Sequence, residues 1–105
     1  MVNNELIEQV PPQNNEAEQA VLGAVFISGD ALVEAMEYVT ADDFYRKAHR
    51  LIFETMVELN ERGEGIDAVT LKSALDAQNQ LEDIGGIGYL AELAEAVPTA
   101  ANVVY

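Results

Sequence analysis

An all-α fold, a compact orthogonal bundle of about five to six short helices, is the class this sequence predicts. Three observations carry it. No stretch of strand length alternates apolar and polar residues, and 66–69 is the only β-like link. Apolar residues recur instead at helical spacing, in segments bounded by residues that start or stop helices. Half of the 105 residues are hydrophobic and none is cysteine, so the fold must rest on packing around a core rather than on disulfides or thiolate metal sites.

Residues 1–10 carry little pattern, and Pro11-Pro12 restricts the backbone after them, which predicts an extended N-terminal arm. The globular head is expected over 11–98. Its first helix is expected over 16–27, with Asn15 as cap, Glu18 reaching back to the Asn15 backbone N–H, and Glu16 and Glu18 complementing the positive end of the helix dipole. Residues 20–27 have no polar side chain, which predicts a central core helix, too short to span a bilayer. Ser28-Gly29 stops this helix, and Asp30 is the expected cap of a short second one carrying Leu32, Val33, Met36 and Val39. In the turn over 40–43, Thr40 or Asp42 can cap, and Phe44-Tyr45 can anchor the turn to the core.

The longest helix is expected over 46–62, with Ala48, Ile52, Met56 and Leu59 on one stripe and Leu51, Phe53 and Val57 widening it. Gly63 ends it. Residues 66–70 read as a brief extended link, with Thr70 capping a helix that carries Leu71, Ala74 and Leu75 and stops at Asn79. A single turn over 81–84 precedes Gly85-Gly86. Tyr89, Leu90, Leu93, Ala94 and Val97 then form an amphipathic face closed by Pro98. Thr99 is the expected cap of a last helix over 99–105. Seven residues are fewer than an isolated helix needs, so the chain is expected to be a piece of a longer one.

The net charge of −14, from 19 carboxylates against five Lys or Arg, constrains partners most strongly. Nucleic acid binding needs a cationic surface, and only Arg46, Lys47 and Arg50 cluster, just after Asp42 and Asp43. Direct nucleic acid binding is therefore not expected. An acidic surface suits a basic protein partner, and it also serves simply to keep a domain soluble. The N-terminus lacks the basic start and apolar run of a secretory signal, and no run is long enough for a membrane, so a soluble, cytoplasmic protein is expected.

Little in the sequence points to catalysis. Gly85-Gly86-Ile87-Gly88 precedes a helix, but no strand leads into it, no Lys-Ser or Lys-Thr follows, and Glu82 and Asp83 would repel a phosphate; a tight turn between helices explains it better. His49, the only histidine, would need an orienting carboxylate such as Asp43 to act as a general base. The stronger reading is an imidazole that partly buries its ring and bonds a backbone carbonyl or Asp43. The aspartates and glutamates show no calcium-loop spacing. Tyr89, early in a helix beside Gly86 and Gly88, either presents its ring and hydroxyl at a protein interface or packs with Leu93 and bonds inward. No catalytic, cofactor-binding or metal-binding residue is expected.

The ordered set Pro-Pro-Gln…Glu-Ala-Glu-Gln-Ala-Val-Leu-Gly (11–23), Asp-Phe-Tyr…His…Ile-Phe (43–53), Ile-Asp-Ala-Val-Thr-Leu (66–71), Leu-Glu-Asp-Ile-Gly-Gly…Tyr-Leu (81–90) and Val-Pro-Thr-Ala-Ala-Asn (97–102) resembles the N-terminal domain of bacterial replicative DNA helicases of the DnaB type, most of all the Gram-positive branch. The resemblance spans nearly everything from Pro11 to Tyr105. It implies a helical head followed by a helical hairpin, here truncated so that 99–105 is only its start, with six subunits forming a collar above a ring of ATPase domains. It implies ring assembly, docking of the helicase-binding domain of primase, and a possible helicase loader. ATP and Mg belong to the implied full-length parent, an ATP-dependent DNA helicase, and not to this portion. Primase contacts in the family match Glu16, Asp83 and Tyr89 here. The alternative from another class is a stand-alone acidic adaptor that binds a basic protein; an enzyme built on His49 with Asp43 comes third.

Overall fold

Local signals place most helix ends in this chain, and packing decides which faces are covered. The computed structural model describes residues 15–104, with side chains described over 15–95; the predicted arm over 1–10 and the Pro11-Pro12 step lie outside the described residues. Five α-helices are described: α1 (Asn15–Ile27), α2 (Gly29–Met36), α3 (Lys47–Glu61), α4 (Ala68–Ala77) and α5 (Gly86–Val104). Single 3-10 turns occupy Ala41–Asp43 and Glu82–Ile84. The described residues include no strand, in agreement with the all-α expectation.

Two predicted caps move. Ser28, in extended conformation, caps α2 through its Oγ, which accepts from the Asp30 N–H at 3.3 Å; Asp30 lies inside the helix instead. Asp67, not Thr70, caps α4. Its Oδ1 accepts from the Thr70 N–H at 2.8 Å while Thr70 Oγ1 accepts from the Asp67 N–H at 2.9 Å, a reciprocal box that starts the helix within the predicted extended link. In the turn before α3, Asp43 Oδ2 accepts from the Thr40 N–H at 2.8 Å. Phe44 is buried there as expected, but Tyr45 is exposed.

Two helices end in the same way. Past α3, Gly63 takes φ +75° and its N–H bonds Asn60 O, while the Glu64 N–H bonds Leu59 O at 2.9 Å. Past α4, Asn79 takes φ +61°, and the Gln80 N–H bonds Leu75 O at 2.8 Å. Both are Schellman ends, in which a left-handed residue lets the chain turn back and satisfy the last carbonyls. The helix expected to stop at Pro98 does not. α5 runs unbroken for 19 residues, so Thr99 lies within it, and it displaces α3 as the longest helix. Proline removes one backbone donor, and the neighbouring turns keep theirs, so the helix tolerates a single missing bond.

α1 packs most extensively against α5 and also touches α2 and α3; α3 in turn carries α4 and both 3-10 turns. The core between them holds Leu22 and Val25 of α1, Ile52, Phe53, Met56 and Leu59 of α3, Leu71 and Leu75 of α4, and Leu90 and Leu93 of α5. α1 is central, as expected, yet it is not buried all round: Val21 and Ile27 are exposed. A domain of this size has too few elements to cover every face of even its middle helix. In α2 only Leu32 is buried, whereas Val33 and Met36 of the same predicted stripe are exposed.

Asp67→Ala removes the α4 cap and should lower stability by about 1 kcal/mol. Urea denaturation followed by circular dichroism measures it, and Asp67→Ser should recover most of the loss.

Candidate functional site

Three helices each place one polar residue on an otherwise apolar stripe. Glu18 lies one turn before Leu22 and two before Val25; His49 lies one turn before Ile52 and Phe53; Tyr89 lies one turn before Leu93. Packing those stripes together brings the polar groups into a single network. His49 Nδ1 is 2.6 Å from Glu18 Oε1, and His49 Nε2 is 2.5 Å from the Tyr89 hydroxyl. Gln19 Nε2 donates to the same hydroxyl at 3.0 Å. Glu18 uses its second oxygen to accept from the Tyr45 backbone N–H at 2.6 Å.

The donor inventory limits where the protons can sit. An ionised carboxylate can only accept, so the Glu18 contact calls for a proton on His49 Nδ1; in a neutral ring of that tautomer Nε2 accepts from the Tyr89 O–H, whose oxygen accepts from Gln19. No buried side-chain nitrogen or oxygen among the described residues lacks a partner. Rings complete the packing. The His49 and Tyr89 rings lie nearly parallel, 16° apart with centroids at 5.8 Å, and Phe44 meets His49 edge-on at 6.3 Å. Gly85 holds φ +107°, and a Cβ there would stand 3.0 Å from the Tyr89 Cβ, so the turn before α5 needs glycine both for its conformation and for room beside the tyrosine.

These contacts correct the expected role of His49. Its ring is fully buried, and its carboxylate partner is Glu18 of α1 rather than Asp43, which is engaged with Thr40. The His49–Asp43 pairing that a general base would need is not formed. Both ring nitrogens are already occupied, and a base with no free nitrogen and no exposure has no access to a substrate proton. Glu18 does not reach back to Asn15 either. Asn15 sits inside α1, and its Oδ1 accepts from Arg46 Nη1 at 3.0 Å, tying the start of α1 to the start of α3.

Glu16 and Asp83 are exposed, and Tyr89 is half-buried. Glu16 lies one turn before Gln19, so α1 puts it beside the residue that holds the Tyr89 hydroxyl. Asp83 lies in the 3-10 turn two residues before Gly85 and lines a surface hollow of about 420 Å³ with Asp76 and Glu82. It makes no bond to the polar network. Tyr89 is half-buried, and its hydroxyl bonds inward to His49 and Gln19, as the core reading of this residue expects. Gln19 and the inward role of Glu18 escaped the sequence reading. Their signal was Glu18 falling in register with Leu22 and Val25, as His49 does with Ile52 and Phe53.

The described residues contain no group of three or more His, Asp or Glu side chains able to hold a metal ion, and no described helix is long and apolar enough to cross a membrane. The features define a small all-helical domain, knit by a buried polar network and coated with carboxylates. The chain belongs to the family of the DnaB-like helicase N terminal domain, whose family model matches residues 10–105. It is 58% identical over 98 residues to the replicative DNA helicase DnaB of Geobacillus stearothermophilus, covering 93% of this chain and 22% of that protein. It is 51% identical over 100 residues to the replicative DNA helicase DnaC of Bacillus subtilis (strain 168), covering 95% and 22%. The crystal structure of the N-terminal domain of DnaB helicase from Mycobacterium tuberculosis superposes with a TM-score of 0.81 at 46% identity, over 88% of this chain and 67% of that one. The chain thus spans about a fifth of the length of the helicases it matches (22%).

Tyr89→Phe leaves His49 Nε2 buried without its hydrogen-bond partner and should cost about 1–3 kcal/mol of stability in urea denaturation. Glu18→Ala strips both His49 Nδ1 and the Tyr45 amide and should cost more. If the network acts as a unit, the double variant loses less than the sum of the two singles; strict additivity would contradict that linkage.

Proposed function

We propose that this domain is the head of the N-terminal collar of a replicative DNA helicase, where it assists assembly of a six-membered ring and receives the helicase-binding domain of primase. The observation that carries the reading is the membership of nearly the whole chain in the family, supported by the exposure of Glu16 and Asp83 and the half-buried, hydrogen-bonded Tyr89. In this reading the Tyr89 ring is the anchor and the two carboxylates, with Asp76 and Glu82 beside Asp83, meet basic side chains of primase. The buried network serves recognition indirectly. By pinning the hydroxyl to His49 and Gln19 it holds the ring in one orientation, so less side-chain freedom is lost on docking.

Family membership favours this head over a stand-alone acidic adaptor. A helicase loader is a further partner on the same reasoning, and the setting is the cytoplasm. ATP, magnesium and DNA translocation are assigned to other parts of the parent helicase; no catalytic step and no direct nucleic acid contact is assigned to these residues. The helical run over 99–104 is read as continuing into the hairpin of that parent.

Calorimetry with the C-terminal domain of the cognate primase, at modest salt, tests the proposal using this chain and a form extended through the hairpin. Tyr89→Ala should weaken the complex by about 1–3 kcal/mol. Glu16→Lys and Asp83→Lys should weaken it with little change in folding stability. Absence of binding by the extended form sinks the primase role.

A further inference from the structure

We propose a second docking site on this domain, a groove between the end of α2 and the adjoining side of α3, whose occupant is a short basic amphipathic helix of a partner protein. The groove has a volume of about 430 Å³ and shares no residue with Glu16, Asp83 or Tyr89. Met36, Val39, Phe53 and Val57 form its apolar lining, and Glu54 and Glu58 stand on its rim. Met36 is exposed, Val39 and Val57 are half-buried, and Phe53 closes the base against Phe44, with ring centroids 5.0 Å apart.

The spacing suits a helix. Phe53 and Val57 are four residues apart on α3, and so are Glu54 and Glu58, which gives an apolar row and an acidic row side by side, each repeating about every 5–6 Å. A helix laid along α3 repeats at the same one-turn interval, so apolar anchors reach the floor while Lys or Arg on its flank reach the carboxylates. The thioether of Met36 can adjust to anchors of different shape.

Electrostatics decides the sign of the partner. Among the described residues neither Glu54 nor Glu58 has a basic side chain within 4 Å; Glu58 Oε1 accepts from the Gln78 amide at 3.0 Å. α2 ends at Met36 beside the groove with no basic residue in its last turn, so its carbonyl end adds further negative potential. A chain of net charge −14 has few cations to offer. A second copy is therefore a poor occupant, and a nucleic acid or anionic membrane is a worse one.

The test uses the chain itself with a synthetic helical peptide of about 15 residues, leucines at i, i+4 and i+7 and lysines flanking them. Binding is read by fluorescence anisotropy and by amide shifts in nitrogen-15 NMR. The paired change Glu54→Lys with Glu58→Lys should weaken binding by at least about tenfold, whereas Glu92→Lys with Glu95→Lys, exposed on α5 and equal in charge, should change it less than about twofold. Met36→Asp, at an exposed position, should also lower affinity while the fold is kept, and amide shifts should cluster over 36–41 and 53–58. Three results would overturn the proposal: equal losses in the two paired variants, peptide-induced shifts centred on Tyr89 or on 76–83, or concentration-dependent dimerisation that covers the groove and leaves the peptide unbound. Primase binding is not used in this test, so its outcome is independent of the primase reading.

Discussion

A carboxylate and an imidazole meet where α1, α3 and α5 converge, and the arrangement of the head depends on their staying paired. Removing Glu18 and His49 from water carries a desolvation cost that a hydrocarbon pair would not, so the pair is a weak argument for stability as such. Its strength lies in selectivity. Leucine stripes can slide past one another with modest change in contact, but a carboxylate that accepts from His49 on one oxygen and from the Tyr45 amide on the other tolerates only one register of α1 against α3. The Tyr89 hydroxyl then fixes α5 to both. Apolar packing supplies most of the driving force, and the polar network chooses which of several similar packings is adopted.

Element identity was legible because the punctuation is local. Gly63 and Asn79 mark helix ends by the left-handed backbone they adopt, and the short polar residues at 28, 40, 43 and 67 sit at first turns. Boundaries moved by a few residues where two capping residues competed, as at Asp67 against Thr70. The unbroken run of α5 through Pro98 was not legible, because proline reads as a stop unless the surrounding turns are known to persist.

The buried polar network was half legible. Tyr89, Glu16 and Asp83 can be named from the resemblance, and the exposure of Glu16 and Asp83 follows from placement at a helix start and in a turn. Glu18 was misread as a local cap because Asn15 stands three residues before it. What draws Glu18 inward is His49, 31 residues further along, and no short-range rule reports a partner at that separation. The lone histidine in an apolar stripe and the lone glutamate in another were each visible. Only the packing of α1 on α3 says that they face one another. The same limit explains why Val33 and Met36, in phase with Leu32, are left exposed: periodicity identifies a face, and only a neighbouring element can cover it.

His49 is the only histidine in the 105 residues, and it is fully enclosed. Its imidazole nitrogens give a single spectroscopic signature, and each nitrogen is held by a group on a different helix. A laboratory watching that one resonance can tell whether the tertiary clasp has formed, even in an intermediate whose helices are already in place.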